Sequence, residues 1–321
     1  MTTVTTETRT SRAELSPKPP TKTKRSNKAK TRAVLTEFSM VAPAVLVYVG
    51  LLVVPVLFAF YYSLTDYNGF PSQTPKFVGF KNFERIFESA DVKGTMVLTG
   101  IVAAVGSLLV NFAALGMALL LQKTNRFNTF GRVVMFYPHV LSMLVVGFLW
   151  AAILGPQGAV NTLREVLGQG DLPFLSDPLW ALWTMVGVIV WAQFGVQLVL
   201  YLAGLQTIPA ELLEAARIDG ANKWQLFRSV TWPALGPTAT VAIITSGISL
   251  LKTYDVVVSL TGGGPAGSTK TLAYEILSVS FPERRIGLAS AESVLLIIAA
   301  AILAFTVLAL RKKADEGAES V

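Results

Sequence analysis

The sequence predicts an all-α membrane protein: six transmembrane helices, with a helical cytoplasmic loop between the fourth and the fifth. Three observations carry this. Of 321 residues, 52% are hydrophobic and only 15% charged, against about 25% charge in a soluble domain. Mean hydropathy is +0.55. Apolar runs of about 20 residues, enough to cross roughly 30 Å of hydrocarbon as helix, recur along the chain, and hydrocarbon offers no partner for a free backbone group, so each crossing is helical. Cysteine is absent, which excludes a disulfide framework and thiolate chemistry.

Residues 1–35 are rich in Thr, Ser, Lys and Arg, carry Pro17, Pro19 and Pro20, and hold almost no large apolar side chain. They predict a disordered basic tail. The run that follows is too long for a signal peptide and has no small-residue cleavage site. The body, 36–313, contains spans at Phe38–Leu64, Met96–Leu121, Val133–Leu154, Trp180–Leu205, Gly236–Leu260 and Leu288–Leu310, and 314–321 form a second tail. Pro43, Pro55 and Pro138 are expected to kink or start helices. Gly100/Ala104 and Ala114/Ala118 are spaced for close helix approach.

Lys and Arg orient the spans. Of 27, nine lie in the first tail, and Lys123, Arg126, Arg132, Arg217, Lys223, Arg228, Arg311, Lys312 and Lys313 fall on the same side. The opposite side holds eight, and Lys252 lies within a span. The bias places both termini in the cytoplasm. The net charge of +7 is therefore a topology signal, and no nucleic-acid partner is expected.

Few residues could carry catalysis. His139 is the only histidine, which leaves no metal cluster or hydrolytic triad; none of the chain's residues is assigned a catalytic, cofactor or metal role. Gly262–Lys270 misses the phosphate-loop pattern, because Ser268 and Thr269 follow Gly267 where Lys and Ser or Thr are required. ATP, if used, belongs to another subunit. Lys252 and Asp255, three apart, are expected to pair near the membrane interface or to line a pathway. Asn111, Gln193, Gln197, Ser246, Ser249 and Tyr254 are uncharged polar groups inside spans. They suit a pathway for a polyol or sugar, and equally suit interhelical hydrogen bonds.

The loop 206–235 is too long and too well capped for a simple connection. Pro209 suits a first helical turn, and Glu211 complements the dipole there. Leu212, Leu213 and Ala216 form a narrow apolar side. Gly220 ends the helix in a left-handed conformation; Asn222 with Gln225 starts another as a capping box. Phe227, Val230 and Ala234 share its face, and Pro233 and Pro237 lead into the fifth span. Such a hairpin could dock a partner or lie on lipid.

Glu214-Ala-Ala-x-x-x-Gly220, nine residues, then Val230-x-Trp232-Pro233 resembles the EAA motif of ABC importer permeases, with Val in place of Ile and Trp in place of Leu. Ala42-Pro43 with Ser63–Asp66, Phe77–Phe83, and Asp255 with Leu260–Pro265 resemble other segments of the carbohydrate class of that family, in its maltose/glycerol-phosphate group and the first of its paired permeases. The resemblance implies a multi-pass subunit of a prokaryotic plasma membrane, and a partnership with a second homologous permease, a cytoplasmic ABC ATPase dimer and an extracytoplasmic solute-binding protein. ATP and Mg would be used by the ATPase alone. It further implies that Glu214, Ala215, Ala216, Asp219 and Gly220, with Glu211 and Pro233, shape or present a coupling helix. A neutral sugar or oligosaccharide is the expected cargo. Glycerol 3-phosphate or another polyol is the alternative, disfavoured because Lys252 is the only cation in a span; an ATP-independent channel or ion-coupled carrier leaves the loop unexplained.

Overall fold

The computed structural model describes residues 40–70 and 72–319; the tail expected over 1–35 lies outside them. The chain divides into two units, Met1–Pro55 and Val56–Val321. In the first, the described residues 40–55 are helical and none is buried.

Five helices are long and apolar enough to cross a membrane: α1 (Met40–Ser63), α3 (Ala90–Leu121), the stretch Met143–Val166, which ends in α6 (Ala159–Val166), α7 (Pro178–Gln206) and α13, whose apolar part is Ile286–Lys313. A bent pair, α9 (Lys223–Ala234) with α10 (Gly236–Leu251), makes a sixth if counted as one span; the two arms meet at 68°. Among the described residues the β geometry is one isolated bridge, Thr65 with Phe77. The helix α13 continues to Glu319, so residues expected to form a tail after 313 extend the last helix.

Two expected spans are broken. The third, expected over Val133–Leu154, is two helices, α4 (Arg126–Val140) and α5 (Met143–Leu154). Pro138 lies in the last turn of α4, where it removes one backbone donor and strains the turn behind it. Leu141 and Ser142 then adopt extended dihedrals before α5 begins. Asn125 starts α4 earlier than hydropathy suggests, accepting the Asn128 amide at 2.7 Å. The fifth, expected over Gly236–Leu260, stops at Leu251 and resumes as the short α11 (Asp255–Leu260). At 16 residues, α10 rises about 24 Å, less than the hydrocarbon thickness. One carbonyl of this break is met within the protein: the Thr271 hydroxyl donates to that of buried Thr253 at 2.6 Å, as irregular backbone at membrane depth requires.

The helix α3 is the central post. Its buried residues, from Val92 through Thr95, Thr99, Val102, Gly106, Val110, Ala114 and Ala118 to Leu121, recur at three- and four-residue spacing along one stripe. The stripe packs on α7 and α10. One apolar cluster centres on Val102, Val146, Met185, Ile189, Leu250 and Val257; a second joins Ala114, Ala118, Leu198, Tyr201, Leu235 and Ala239. Ala114 and Ala118 are buried as small contact residues, whereas Gly100 and Ala104 face outward. Sequence spacing gives a helix face but not the neighbour that covers it. α4 and α7 approach closely: a Cβ on Gly195 would lie 2.8 Å from the Met135 carbonyl oxygen, so only glycine lets these backbones meet.

The short helix α2 (Lys81–Glu88) is tied to the end of α1 by buried Asn82, whose side-chain amide donates to the carbonyls of Ser63 and Thr65 at 2.9 and 2.8 Å. The Gly262–Lys270 loop is held by hydroxyl groups, one its own and one from the helix that follows. Thr269 Oγ1 donates to the Gly264 carbonyl at 2.8 Å, and Tyr274 OH donates to Gly262 at 2.9 Å.

Candidate functional site

The loop 206–235 folds as two helices about a glycine turn. The first, α8, runs Ala210–Ile218 with Pro209 at its N-cap, one position before the expected first turn. Gly220 has φ +82°. Its amide donates to the Arg217 carbonyl at 3.1 Å, and that of Ala221 donates to Ala216 at 3.0 Å. This pair of bonds is a Schellman motif, and it needs a left-handed residue at Gly220. Asn222 and Gln225 form the capping box of α9: the Asn222 amide donates to Gln225 Oε1 at 2.8 Å and the Gln225 amide to Asn222 Oδ1 at 2.9 Å. Near Pro233 the helix widens into a π turn over Phe227–Thr231, with the Trp232 amide reaching back to the Phe227 carbonyl. Proline supplies no donor in the next turn, and the wider turn reassigns the carbonyls left over.

One side of this hairpin is anchored and the other is presented. Leu213 and Phe227 pack on the cluster around Leu198 and Leu235. Glu211, Glu214, Ala215, Asp219, Gly220 and Pro233 are exposed and Ala216 half-buried. Leu212, expected on the anchored side, points outward, and Ile218 and Trp224 are 86% and 66% exposed. None of Glu211, Glu214, Arg217 and Asp219 joins a salt bridge among the described residues. Exposed apolar side chains beside unpaired charges on a rigid, doubly capped element have the character of a binding surface.

The candidate pathway residues separate. Asn111 and Ser246 come together: Asn111 Nδ2 donates to Ser246 Oγ at 2.8 Å and to the Ser107 carbonyl at 2.8 Å. Ser107 and Ser246 share a hydroxyl bond of 2.7 Å, and Tyr201 OH donates to Asn111 Oδ1 at 2.9 Å. This buried network joins α3, α7 and α10. Asn111 and Tyr201 also line a cavity of about 530 Å³ bounded by Leu108, Phe112, Leu115, Ile243 and, from the loop's second arm, Trp224, Phe227, Arg228 and Trp232. Gln193 and Gln197 stand two turns and one turn before Tyr201 on the same face of α7. Gln197 is buried with Oε1 unpartnered. Ser249 is exposed, and Tyr254 faces Tyr274 with ring centroids 6.3 Å apart; neither joins the network.

Lys252 and Asp255 do not pair. The helix ends at Leu251 and restarts at Asp255, so three-residue spacing no longer places them on one face; both are exposed. His139 is exposed beside the Phe136 ring, centroids 5.9 Å apart.

The charged cluster that does form was not expected. Lys270 lies 3.0 Å from Asp91 Oδ2 and 2.7 Å from Glu275 Oε2. Burial works to lower the Lys270 pKa, but the Glu275 and Asp91 carboxylates outweigh it, and the pKa is raised. Glu292 of α13 is fully buried close by. Its signal was available, as the one acidic residue inside the last apolar run, but an averaged hydropathy window absorbs a single charge.

Residues 111–313 match the family described as "Binding-protein-dependent transport system inner membrane component". The chain is 29% identical over 276 residues to a probable starch degradation products transport system permease protein, AmyD, of Thermoanaerobacterium thermosulfurigenes, covering 86% of this chain and 93% of that protein. It is 30% identical over 264 residues to the sn-glycerol-3-phosphate transport system permease protein UgpA of Rhizobium meliloti, covering 81% and 88%. The trehalose/maltose transport system permease protein MalF of Thermococcus litoralis is 29% identical over 288 residues, covering 89% and 96%. In fold, the chain is similar to a bacterial ABC transporter involved in the import of the acidic polysaccharide alginate, with TM-score 0.75 and 20% identity over 89% of this chain and 98% of that one. This multi-pass membrane chain belongs to the binding-protein-dependent transport system inner membrane component family, as an ABC importer permease.

Proposed function

We propose that this chain forms half of the translocation pathway for a neutral sugar or oligosaccharide, paired with a second homologous permease and driven by a separate cytoplasmic ATPase dimer. The observation that carries the reading is the 206–235 hairpin. It is rigidly capped by the Gly220 and Asn222–Gln225 motifs, anchored through Leu213 and Phe227, and exposed along Glu214, Ala215 and Asp219. Such an element transmits a push from a docked partner to α7 and α10, which it joins directly. ATP and Mg are handled by that partner, since no nucleotide motif occurs in this chain. The Lys and Arg bias puts the hairpin and both termini in the cytoplasm, leaving the opposite face to a solute-binding protein.

Cargo class follows from the polar groups at membrane depth. Asn111, Gln193, Gln197, Tyr201 and Ser246 are uncharged amides and hydroxyls, which hydrogen-bond a polyol without offering a counter-charge to phosphate. Relatives named for maltose and starch products, and another for glycerol 3-phosphate, bracket the choice. We expect the co-purifying binding protein to hold a neutral saccharide when its ligand is released and identified by mass spectrometry. ATPase stimulation by glycerol 3-phosphate, with none by neutral saccharides, would overturn the assignment.

A further inference from the structure

At the end of α3 away from the hairpin, three helices converge on a charged cavity. Asp91 sits in the first turn of α3, Glu275 in the first turn of α12 (Leu272–Ser280), and Glu292 on α13. The cavity, of about 240 Å³, is lined by these three carboxylates with Glu283, and by Arg85 and Arg285. The Lys270 ammonium bridges Asp91 and Glu275 at its edge. Glu292 is 0% exposed, and neither of its carboxylate oxygens has a hydrogen-bond partner.

A carboxylate taken out of water without a partner is strongly unfavourable. The nearby cations are otherwise engaged or lie at the surface: Lys270 serves Asp91 and Glu275, Arg285 lies 3.6 Å from Glu283, and Arg85 is exposed. With Glu292 ionised, four carboxylates face three cations, so one further positive charge, a proton or a bound cation, makes the cavity neutral. A divalent metal is a poor fit, because these carboxylates line the cavity without being arranged to share one ion: among the described residues no group of three or more His, Cys, Asp or Glu could hold a metal. A cation held by hydrogen bonds fits better. The cluster already holds one primary ammonium, that of Lys270, between two carboxylates, and Glu292 offers two more acceptor oxygens in a drier position.

We propose that this cavity binds one primary ammonium group, anchored by Glu292. The group is either a free small amine or a lysine side chain of an extracytoplasmic protein; that the cavity faces outside rests on the proposed orientation, whereas binding itself does not. The test uses the permease complex purified into lipid nanodiscs, titrated with methylammonium chloride and, at equal ionic strength, with tetramethylammonium chloride, which has no N–H to donate. Methylammonium should raise the thermal unfolding midpoint saturably, tetramethylammonium should not, and Glu292→Gln should abolish the difference. Equal responses to both salts, or an unchanged response in Glu292→Gln, would overturn the proposal. Should that variant fail to fold, infrared difference spectra of the wild-type complex decide: methylammonium alone should shift a carboxylate stretching band, and no shift refutes the site. Displacement of methylammonium by the solute-binding protein, but not by its lysine-acetylated form, identifies a lysine as the occupant; no displacement identifies free amines.

Discussion

Replacing Gly220 with valine should abolish ATP-dependent uptake and binding-protein-stimulated ATPase activity, while the protein still accumulates in the membrane at its normal level. The reason is local. Gly220 holds φ +82°, and a Cβ built there meets nothing within 4 Å; the penalty is therefore backbone strain rather than collision. Forcing a β-branched residue into this region costs on the order of 1–3 kcal/mol, more than the two Schellman bonds can hold against solvent. The end of α8 should unwind, and with it the presentation of Glu214, Ala215 and Asp219. Nothing in the α3–α7–α10 core touches Gly220, so insertion is spared. Gly220→Asn tolerates the left-handed region and should keep most of the activity. Wild-type coupling in the valine variant would remove the hairpin from the mechanism.

Asn111→Ala is expected to destabilise the transmembrane body by about 2 kcal/mol, at the middle of the cost of orphaning a buried polar group. Asn111 is 7% exposed and is the acceptor for the Tyr201 hydroxyl at 2.9 Å; without it that hydroxyl is buried and unpaired. A single interhelical hydrogen bond in a membrane averages only about 0.6 kcal/mol. The larger figure applies because Asn111 engages both α7 and α10 at once. Tyr201→Phe alone should cost less than half as much, since Asn111 keeps its bonds to Ser107 and Ser246. In the double variant the orphan is gone and part of the loss should return. Unfolding curves of the four proteins check this; additive losses would show that the network is not cooperative.

What could be read from sequence was local chemistry. Gly220, Asn222 and Gln225 act within five residues of one another, so their turn and caps are encoded where they stand. Pro138 marked a kink near Leu141–Ser142, but the break at Lys252–Tyr254 was not legible, because three residues leaving a helix barely change an apolar average, and a group that satisfies it comes from elsewhere in the chain. Thr271, eighteen residues on, closes the carbonyl of Thr253. The same break defeated the expected Lys252–Asp255 pair, which assumed continuous helix. Asn111 and Ser246 were recognisable as buried polar groups, but their meeting depends on the packing of α3 against α10. Glu275 and Glu292 were hidden differently: each is a single charge beside long apolar stretches, and only the fold shows that both reach one cavity.

The central claim is that this chain is a moving body powered through its hairpin by a separate ATPase. Proteoliposomes containing the permease pair, with the ligand-loaded binding protein outside and ATP inside, test it most directly. Saccharide should accumulate only when the ATPase dimer is bound, and accumulation should stop when ATP is replaced by a non-hydrolysable analogue. Sustained uptake by the permease pair without its ATPase would contradict the account.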